Sequence, residues 1–412
     1  MPDPEDDRLN LRRLLAAVEA APPIDAVDVL ATELAAMVGA SHVSLLISNF
    51  SGTAVVRLSH VGSGPSLRDG HNERGESLSL PDSVYQSVLL RQVLEVVPDG
   101  DRWLVLIPVT ERGDAIGILE LSLAQQPDTE TVGYLVAAAH ALAYVLIASR
   151  RHTDLFEWAQ RDVPFSIAAE IQRRLLPSAY TAEGGSFTIA GWLEPAHTAG
   201  GDTFDYSVDR EYLYASITDA MGHSTEAALL ATFAVGSLRN TRRRLASLAE
   251  QADAANAGLL AHARPDQFVT GQLVRIRLAD ARMELVNAGH PPPYLLRDGT
   301  ATTVDLASDL PFGVEPLPYR VQTFDMRPGD RLLLVTDGYL ERNTAEVDVE
   351  QTLMATADRH PRQIVRELGG NVLTATGGRL QDDATAVCID WYGPDAVRDA
   401  FGGASRARAT PA

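Results

Sequence analysis

Apolar positions follow one pattern before residue 150 and a different one after residue 177. In the first part, helical spacing predicts helices over residues 8–20 and 25–40. Four strand-like runs follow, and they are HVSLLIS from His42, TAVVRLSH from Thr53, WLVLIPV from Trp103 and AIGILELS from Ala115. Residues 110–114 form a polar turn with a glycine, which predicts a hairpin between the last two runs. An apolar helix over residues 132–148 closes this part.

This order of elements resembles a GAF domain, a module that senses small molecules or other signals. The resemblance covers about 125 residues and lies in the sequence of helix, hairpin, irregular middle, hairpin and helix. It implies a GAF-like α/β sensor domain over residues 23–149, with an N-terminal helix in residues 1–22. A small molecule of unknown identity, or another signal, would then act on this domain.

Residues 150–177 form a polar to amphipathic connector between the two parts. Leu155, Trp158, Ile167, Ile171 and Leu175 have the spacing of one helical stripe, which Pro164 should kink or interrupt. One interpretation is a helix packed on the following domain. The other is a parallel two-stranded coiled coil that joins two protomers in a homodimer.

After residue 177 the chain changes to strand runs and long helical runs. The strand runs are FTIAGWLE from Phe187, EYLYASIT from Glu211, LVRIRL from Leu273, MELVNA from Met283, RLLLVT from Arg331 and TAVCID from Thr385. Helices are predicted over 224–245, 247–263 and 361–374, and together these elements predict a layered α+β fold. Residues 394–412 are predicted to be a disordered tail.

Composition excludes several classes of protein. The 412 residues carry a net charge of −20, which argues against a nucleic-acid partner because that affinity comes largely from neutralising phosphates. The chain contains no lysine, so a P-loop ATPase, an ordinary protein kinase or a Schiff-base enzyme lacks its usual cation or nucleophile.

The single cysteine, Cys388, and an acidic N-terminus favour a cytoplasmic protein without a secretory leader. The helix over residues 132–148 is nearly long enough to span a membrane. It is rich in alanine and contains His140 and Tyr144, so we expect a buried helix and no membrane partner.

Four short acidic motifs carry the candidate chemistry, because each lies at the end of a predicted strand or in the turn beside it. They are GGDTFDY with Asp202, ITDAMGH with Asp219, VTDGYLE with Asp337, and QDDATA with Asp382 and Asp383. Carboxylates gathered at one sheet edge need cations to stay ionised together. Oxygen ligands of this kind favour Mg²⁺ or Mn²⁺.

The order and setting of these motifs resemble the metal-dependent protein phosphatases of type 2C, in particular the SpoIIE/RsbU-like branch. The resemblance covers about residues 165–391. Its further marks are AEIQRRLLP from Ala169, LVNAGHPPPYLL from Leu285 and LPFGV from Leu310. It implies a four-layer αββα phosphatase domain over residues 178–393, with two Mn²⁺ or Mg²⁺ ions that promote hydrolysis of a phosphoserine or phosphothreonine.

The resemblance also implies a role for each site residue. Asp219 would bridge both ions with the Ala220 carbonyl as a further ligand, Asp202 would serve one ion, and Asp337 and Asp382 the other. Asp205, His223 and Asp383 are auxiliary candidates. The branch usually has glycine where this chain has Ala220 and Ser224, which changes the backbone next to Asp219.

Other interpretations of the same residues are open. Cys388 lies among strand formers without a nearby arginine, so a thiolate phosphatase is not favoured. The second Gly-His pair, in NAGHPPPYLL, has no evident metal role and is interpreted as structural. A metal-dependent nuclease would use similar carboxylates, but the net charge argues against it.

In the resembled branch, substrates are typically phosphorylated anti-sigma-factor antagonists with a STAS domain. The chain would then be a phosphatase gated by its sensor through the connector, including Glu170 and Gln172. The alternative is a catalytically degenerate scaffold that binds a partner through the same domain.

Overall fold

The computed structural model describes residues 10–61, 76–161, 165–196, 200–222, 225–340, 344 and 347–397. The chain divides into two compact units between residues 164 and 165, within the predicted connector. Both units combine helices with antiparallel sheets. The described chain is therefore a mixed α and β protein.

The first unit contains one sheet of six strands in the order β3-β2-β1-β6-β5-β4. Its strands are β1 (His42–Ser48), β2 (Ala54–Val61), β3 (Ser77–Ser79), β4 (Glu95–Asp99), β5 (Arg102–Glu111) and β6 (Asp114–Leu123). Its helices are α1 (Leu11–Ala20), α2 (Ala26–Val38), α3 (Val84–Arg91), α4 (Thr129–Ser149) and α5 (Leu155–Ala159). The predicted hairpin is confirmed, since β5 and β6 pair from Trp103 opposite Leu123 to Glu111 opposite Asp114.

The two faces of this sheet are covered differently. One face packs on α1, α2 and α4 in the larger core of the unit, and the other packs on α3 in a smaller core. In the described part of the chain, α4 is the one helix whose length and composition would allow it to cross a membrane. Its residues Leu135, Leu142 and Leu146 are buried against the sheet and the neighbouring helices, whereas Tyr144 and Ile147 are exposed.

The predicted connector is divided between two helices. Phe156 on α5 lies in the core of the first unit, whereas Trp158 is exposed. On α6 (Ile167–Leu175), Ile171 and Leu175 pack in cores of the second unit, and Ile167 is 72% exposed. The described chain leaves the helix between α5 and α6, so the predicted interruption of the stripe is confirmed, although Pro164 itself is outside the described residues.

The second unit contains two sheets. The first has the order β15-β12-β11-β10-β9 and the second β14-β13-β16-β17-β8-β7. The strands are β7 (Thr181–Glu183), β8 (Phe187–Glu194), β9 (Thr203–Val208), β10 (Tyr212–Ala220), β11 (Val269–Arg277), β12 (Arg282–Ala288), β13 (Tyr294–Arg297), β14 (Thr300–Thr303), β15 (Gln322–Asp325), β16 (Arg331–Val335) and β17 (Ala384–Trp391). The helices after α6 are α7 (Thr225–Arg242), α8 (Leu248–His262), α9 (Val349–Ala355) and α10 (Pro361–Ala375).

The helices of this unit begin where the sequence supplies caps. Ser247 and Glu250 form a reciprocal capping box at α8, and Pro361 occupies the first turn of α10 after the His360 cap. Helices α7 and α8 pack on the outer side of the first sheet, and α9 and α10 on the outer side of the second. Side chains from both sheets meet in a third core between them.

The residues that face this central core change from apolar to polar at one end. Alternate residues of a strand share a face. The inward positions of β10 are Leu213, Ala215 and Ile217, and the next one is Asp219. On β16 the inward Leu332 and Leu334 are followed by Thr336 just after the strand. The pattern places a polar layer at one end of an apolar interior.

A buried ion pair links two neighbouring strands of the second sheet. Arg331 on β16 donates to both oxygens of Asp390 on β17, at 2.6 and 2.8 Å, and neither residue is exposed to solvent. The same guanidinium donates to the carbonyls of Thr356 and Arg359, so it also holds the segment between α9 and α10. Because its donors are met on several sides, the charge is tolerated in the interior.

Asp390→Ala should therefore cost about 3–5 kcal/mol of unfolding free energy, because it leaves the Arg331 charge buried and unpaired. Urea denaturation of the full chain measures this loss. Asp280→Ala breaks the exposed pair with Arg277 and is the matched control, with little expected effect. Equal losses in the two variants would contradict the assignment.

Candidate active site

The polar end of the second unit brings together aspartates from four separate segments. Asp202 lies just before β9, Asp219 is the penultimate residue of β10, Asp337 begins a 3₁₀ turn after β16, and Asp382 lies before β17. Asp337 is exposed, Asp219 and Asp382 are half-buried, and Asp202 is buried. The carboxylates thus extend from the interior to the surface.

Asp202 is held by hydroxyl groups from the second sheet. Its Oδ2 accepts hydrogen bonds from Thr336 Oγ1 at 2.8 Å and from Thr385 Oγ1 at 2.7 Å. Thr336 Oγ1 also accepts from the Thr385 backbone amide, so the two threonines are fixed to each other. These bonds orient a buried carboxylate that would otherwise lose its solvation.

Asp383 is buried beside this group and is held by backbone amides. Its carboxylate accepts from the Ala196 amide at 2.7 Å, from the Gly200 amide at 3.1 Å and from Gln172 Nε2 at 2.5 Å. A Cβ at Gly338 would lie 2.1 Å from the Asp383 carbonyl, so only glycine fits after Asp337. The residue next to Asp337 must therefore be glycine for the two segments to meet.

The Ala220 carbonyl, which the family resemblance implies as a metal ligand, faces the glycine-rich segment before β9. A Cβ at Gly201 would lie 2.3 Å from this oxygen, and the Ala220 amide donates to the Gly201 carbonyl at 3.3 Å. Ala220 remains in the extended conformation of β10, where its side chain is fully buried. The alanine that replaces the usual glycine is thus accommodated in the strand.

Mutual repulsion dominates the electrostatics of the group. Burial, and then the charges of Asp337 and Asp382, raise the pKa of Asp219 to about 7. Burial and the charges of Asp219 and Asp383 raise the pKa of Asp202 well above its usual range. Although the residue as a whole is exposed, the protein atoms around its carboxyl displace water, and this loss of solvation and then the charge of Asp382 raise the pKa of Asp337. Carboxylates that resist ionisation in one another's presence are stabilised by a cation.

This donor set fits a hard divalent cation by its chemistry, because it is made of carboxylate and carbonyl oxygens. Among the described residues, however, no three His, Cys, Asp or Glu side chains stand around one point as a completed ligand set. The carboxylate of Asp219 instead lies beside that of Asp202. Asp219, Asp337 and Asp382 would have to turn toward a common point to bind the same ion.

The structure describes two of the three auxiliary candidates and places them apart. Asp383 lies within the group, and His223 is outside the described residues. Asp205 accepts hydrogen bonds from Arg239 at 2.9 and 3.1 Å and from Arg242 at 3.0 Å, both on α7. Its carboxylate is thus engaged by two guanidinium groups on the outer side of the first sheet.

Sequence reasoning missed the roles of the residues that position the carboxylates. Thr336 is adjacent to Asp337, and Thr385 is two residues after Asp383. Each threonine continues the inward-facing positions of its strand, and this is the signal that could have identified their bonds to Asp202. Gln172 was named only as part of a connector. Its Nε2 donates to the Asp202 carbonyl at 2.9 Å as well as to Asp383, so α6 contacts two segments of the site.

The family match found by comparison with known proteins lies within the second unit. Residues 209–392 match the family model of stage II sporulation protein E (SpoIIE), which is less than half of the chain. No curated protein sequence matches the chain.

Three solved structures illustrate the similarity. The RsbU and RsbW domains of Rv1364c from Mycobacterium tuberculosis are 21% identical, with a TM-score of 0.45 over 53% of this chain and 62% of that one. The phosphatase domain of SpoIIE from Bacillus subtilis, with a fragment of its regulatory domain, is 15% identical, with a TM-score of 0.44 over 73% and 82%. The catalytic domain of the phosphatase PstP with two manganese ions is 20% identical, with a TM-score of 0.41 over 50% and 98%. The chain covers less than two thirds of the first of these structures.

Asp219→Asn should raise the melting temperature of the full chain in chelator at pH 8. With a folded pKa of about 7 and an unfolded value near 4, protonated Asp219 stabilises the fold at low pH, and this stability is lost as pH rises through 7. Removing the charge should thus raise the melting temperature by roughly 2–4 °C for each kcal/mol recovered. At pH 5 the gain should be small. A lower melting temperature for the variant at pH 8 would contradict the repulsion described here.

Proposed function

We propose that the second unit is a divalent-metal-dependent serine/threonine phosphoprotein phosphatase of the type 2C, SpoIIE-like kind. The observation that carries the proposal is the gathering of Asp202, Asp219, Asp337 and Asp382, from four separate segments, into one mutually repelling group. The SpoIIE family match over residues 209–392 includes three of these four residues and supports it. Two sheets face to face with helices on both outer sides support a four-layer αββα arrangement.

Two Mn²⁺ or Mg²⁺ ions would be held by the four aspartates together with the Ala220 carbonyl. When bound, such ions neutralise charge on the phosphate oxygens and make water a stronger nucleophile for in-line attack at phosphorus. The protein contributes a fixed setting for the buried carboxylates of Asp202 and Asp383. Thr336 and Thr385 orient Asp202, and the amides of Ala196 and Gly200 hold Asp383 behind it. Such preorganised groups need little rearrangement during the reaction.

The exposed side of the group is where a phosphorylated residue would enter. Asp337 is exposed, and Asp219 and Asp382 are half-buried. A phosphoserine or phosphothreonine on the surface of a partner protein could approach these side chains. The partner would be a phosphorylated regulatory protein, such as an anti-sigma-factor antagonist with a STAS domain, in a cytoplasmic signalling pathway.

A catalytically degenerate scaffold is the alternative function. The main difference is whether the carboxylates are retained, because a unit that only binds a partner does not need a repelling group of acids. Since Asp202, Asp219, Asp337 and Asp382 are all present, we favour the enzyme.

The first unit would be a GAF-like sensor that controls this activity. Its six-stranded antiparallel sheet, with helices on both faces, is compatible with such a domain. Control would pass through α6, because Gln172 contacts both the Asp202 carbonyl and the Asp383 carboxylate. Glu170 pairs instead with Arg174 one turn later on the same helix, at 3.3 Å. A homodimer through the connector would be one way to move this helix.

The full chain should release phosphate from a phosphoserine protein only when Mn²⁺ or Mg²⁺ is added. Asp219→Asn and Asp337→Asn should each lower the rate at least 100-fold, since each removes a proposed ligand of the ions. Asp325→Asn changes an exposed aspartate at the end of β15 and is the matched control, with an unchanged rate. Activity in chelator, or activity unaffected in both site variants, would exclude the proposed mechanism.

Gln172 should be required for control by the first unit. Deletion of residues 1–164 should change the rate at limiting Mn²⁺, because it removes the proposed sensor and the chain that connects it to α6. In a Gln172→Ala background the same deletion should have little further effect, since the contact that transmits the change is already lost. Equal effects of the deletion in both backgrounds would show that control does not pass through Gln172. Arg174→Ala, two residues away and exposed, is the control for general damage to α6.

A further inference from the structure

His290 is the buried residue near the site that the proposed mechanism does not use. It lies in the turn after β12, in the NAGHPPPYLL run, and only 4% of it is exposed. The turn is fixed without its imidazole. The Asn287 side chain accepts from the His290 amide at 2.9 Å and donates to the His290 carbonyl at 3.0 Å. Gln272 Nε2 donates to the Pro291 carbonyl at 2.5 Å. The imidazole is therefore not needed to fix the turn.

The imidazole is bound on one side and unpaired on the other. Its Nδ1 lies 2.8 Å from Thr270 Oγ1. Its Nε2 is buried and makes no hydrogen bond within the described part of the chain. Burial lowers the pKa of His290 to about 3, against a smaller opposing effect of the Val335 carbonyl, so the ring is neutral. A neutral, buried ring is a rigid contact that does not add charge.

The hydrogen-bond partner of the ring and the segment that carries the ring lead to opposite walls of the site. Thr270 on β11 stands directly opposite Asp219 on β10. Directly opposed residues of an antiparallel pair project from the same face, so Thr270 is the cross-strand neighbour of Asp219. The segment that carries His290 runs from β12 in the first sheet to β13 in the second, and β13 pairs with β16, which leads to Thr336 and its bond to Asp202. His290 thus lies on the connection between the end of the first sheet that carries Asp219 and the end of the second that supports Asp202.

We propose that His290 is a positioning residue that sets the distance between these two strand ends, so that Asp219 and Asp202 face the same ion. The inference rests on the proposed metal-dependent function and adds a residue to it. His290 touches neither the substrate nor the ion, and it acts through Thr270 and through its place in the segment that joins the two sheets. Its effect should appear in metal affinity more than in the rate at saturating metal.

The test is Mn²⁺ binding to the full chain, measured by titration calorimetry, together with the Mn²⁺ dependence of phosphate release. Outer partners of metal ligands typically change affinity 10–100-fold. His290→Ala should weaken Mn²⁺ binding roughly 10-fold, while the rate at saturating Mn²⁺ changes less. His290→Asn can still bond to Thr270 and should recover part of the affinity. Thr270→Val removes the hydroxyl with little change of shape, and should reproduce the loss if His290→Ala fails to fold.

His360→Asn is the matched control. His360 is an equally buried histidine, but it caps α10 and bonds to Glu183 at 3.1 Å, on the outer side of the second sheet. This variant should lose thermal stability without losing Mn²⁺ affinity. If His290→Ala and Thr270→Val both bind Mn²⁺ as tightly as the unaltered chain, the positioning role is wrong. It is also wrong if His360→Asn weakens binding equally. If the unaltered chain itself binds no Mn²⁺ and releases no phosphate, the proposed function fails instead.

Discussion

The second unit concentrates carboxylates at one end of an otherwise apolar interior, and their mutual repulsion is the constraint on which the rest of the structure depends. Apolar residues of both sheets fill most of that interior and stabilise the fold. At one end the inward positions are Asp219, Asp202, Thr336 and Thr385 instead. The raised pKa values of Asp219 and Asp202 follow from burial and from neighbouring charges. A cation at this end would remove the repulsion that the fold otherwise tolerates.

The surrounding residues can be understood as supports for this group. Threonine hydroxyls orient Asp202, and main-chain amides hold Asp383. Gly201 lets the segment before β9 approach Ala220, and Gly338 lets the segment after β16 approach Asp383. Gln172 joins α6 to the same group, and His290 lies between the two sheets beside it. Each of these contacts links elements that are distant in sequence, so the site depends on the packing of the whole unit.

Much of the fold could be predicted from the sequence, because long strands and helices carry a clear hydrophobic period. The predicted runs from Glu211, Met283, Arg331 and Thr385 correspond to β10, β12, β16 and β17. The missed strands include the edge strands of each sheet, such as β3 and β7 with three residues each, which are too short to show a period. In the connector, the apolar residues lie on two separate helices, α5 and α6, so their common helical period does not continue from one to the other.

The aspartates of the candidate site could be predicted from their motifs. The residues that contact them from distant parts of the sequence could not. Four aspartates were found from their positions at strand ends. Asp205, three residues after Asp202, was named as an auxiliary candidate. In a strand, however, such residues point to opposite faces, and β9 directs Asp205 toward Arg239 on α7. Gln172 lies 30 residues before Asp202, and His290 lies 71 residues after Asp219. No local pattern relates such pairs, because only tertiary packing brings them together.

Anomalous diffraction from crystals of the full chain grown with Mn²⁺ would test the central claim most directly. We predict manganese peaks within bonding distance of Asp219 and Asp337, with Asp202 and Asp382 completing the ligands. Saturating Mn²⁺ with no peak at these side chains, or with peaks only elsewhere on the molecule, would contradict the account.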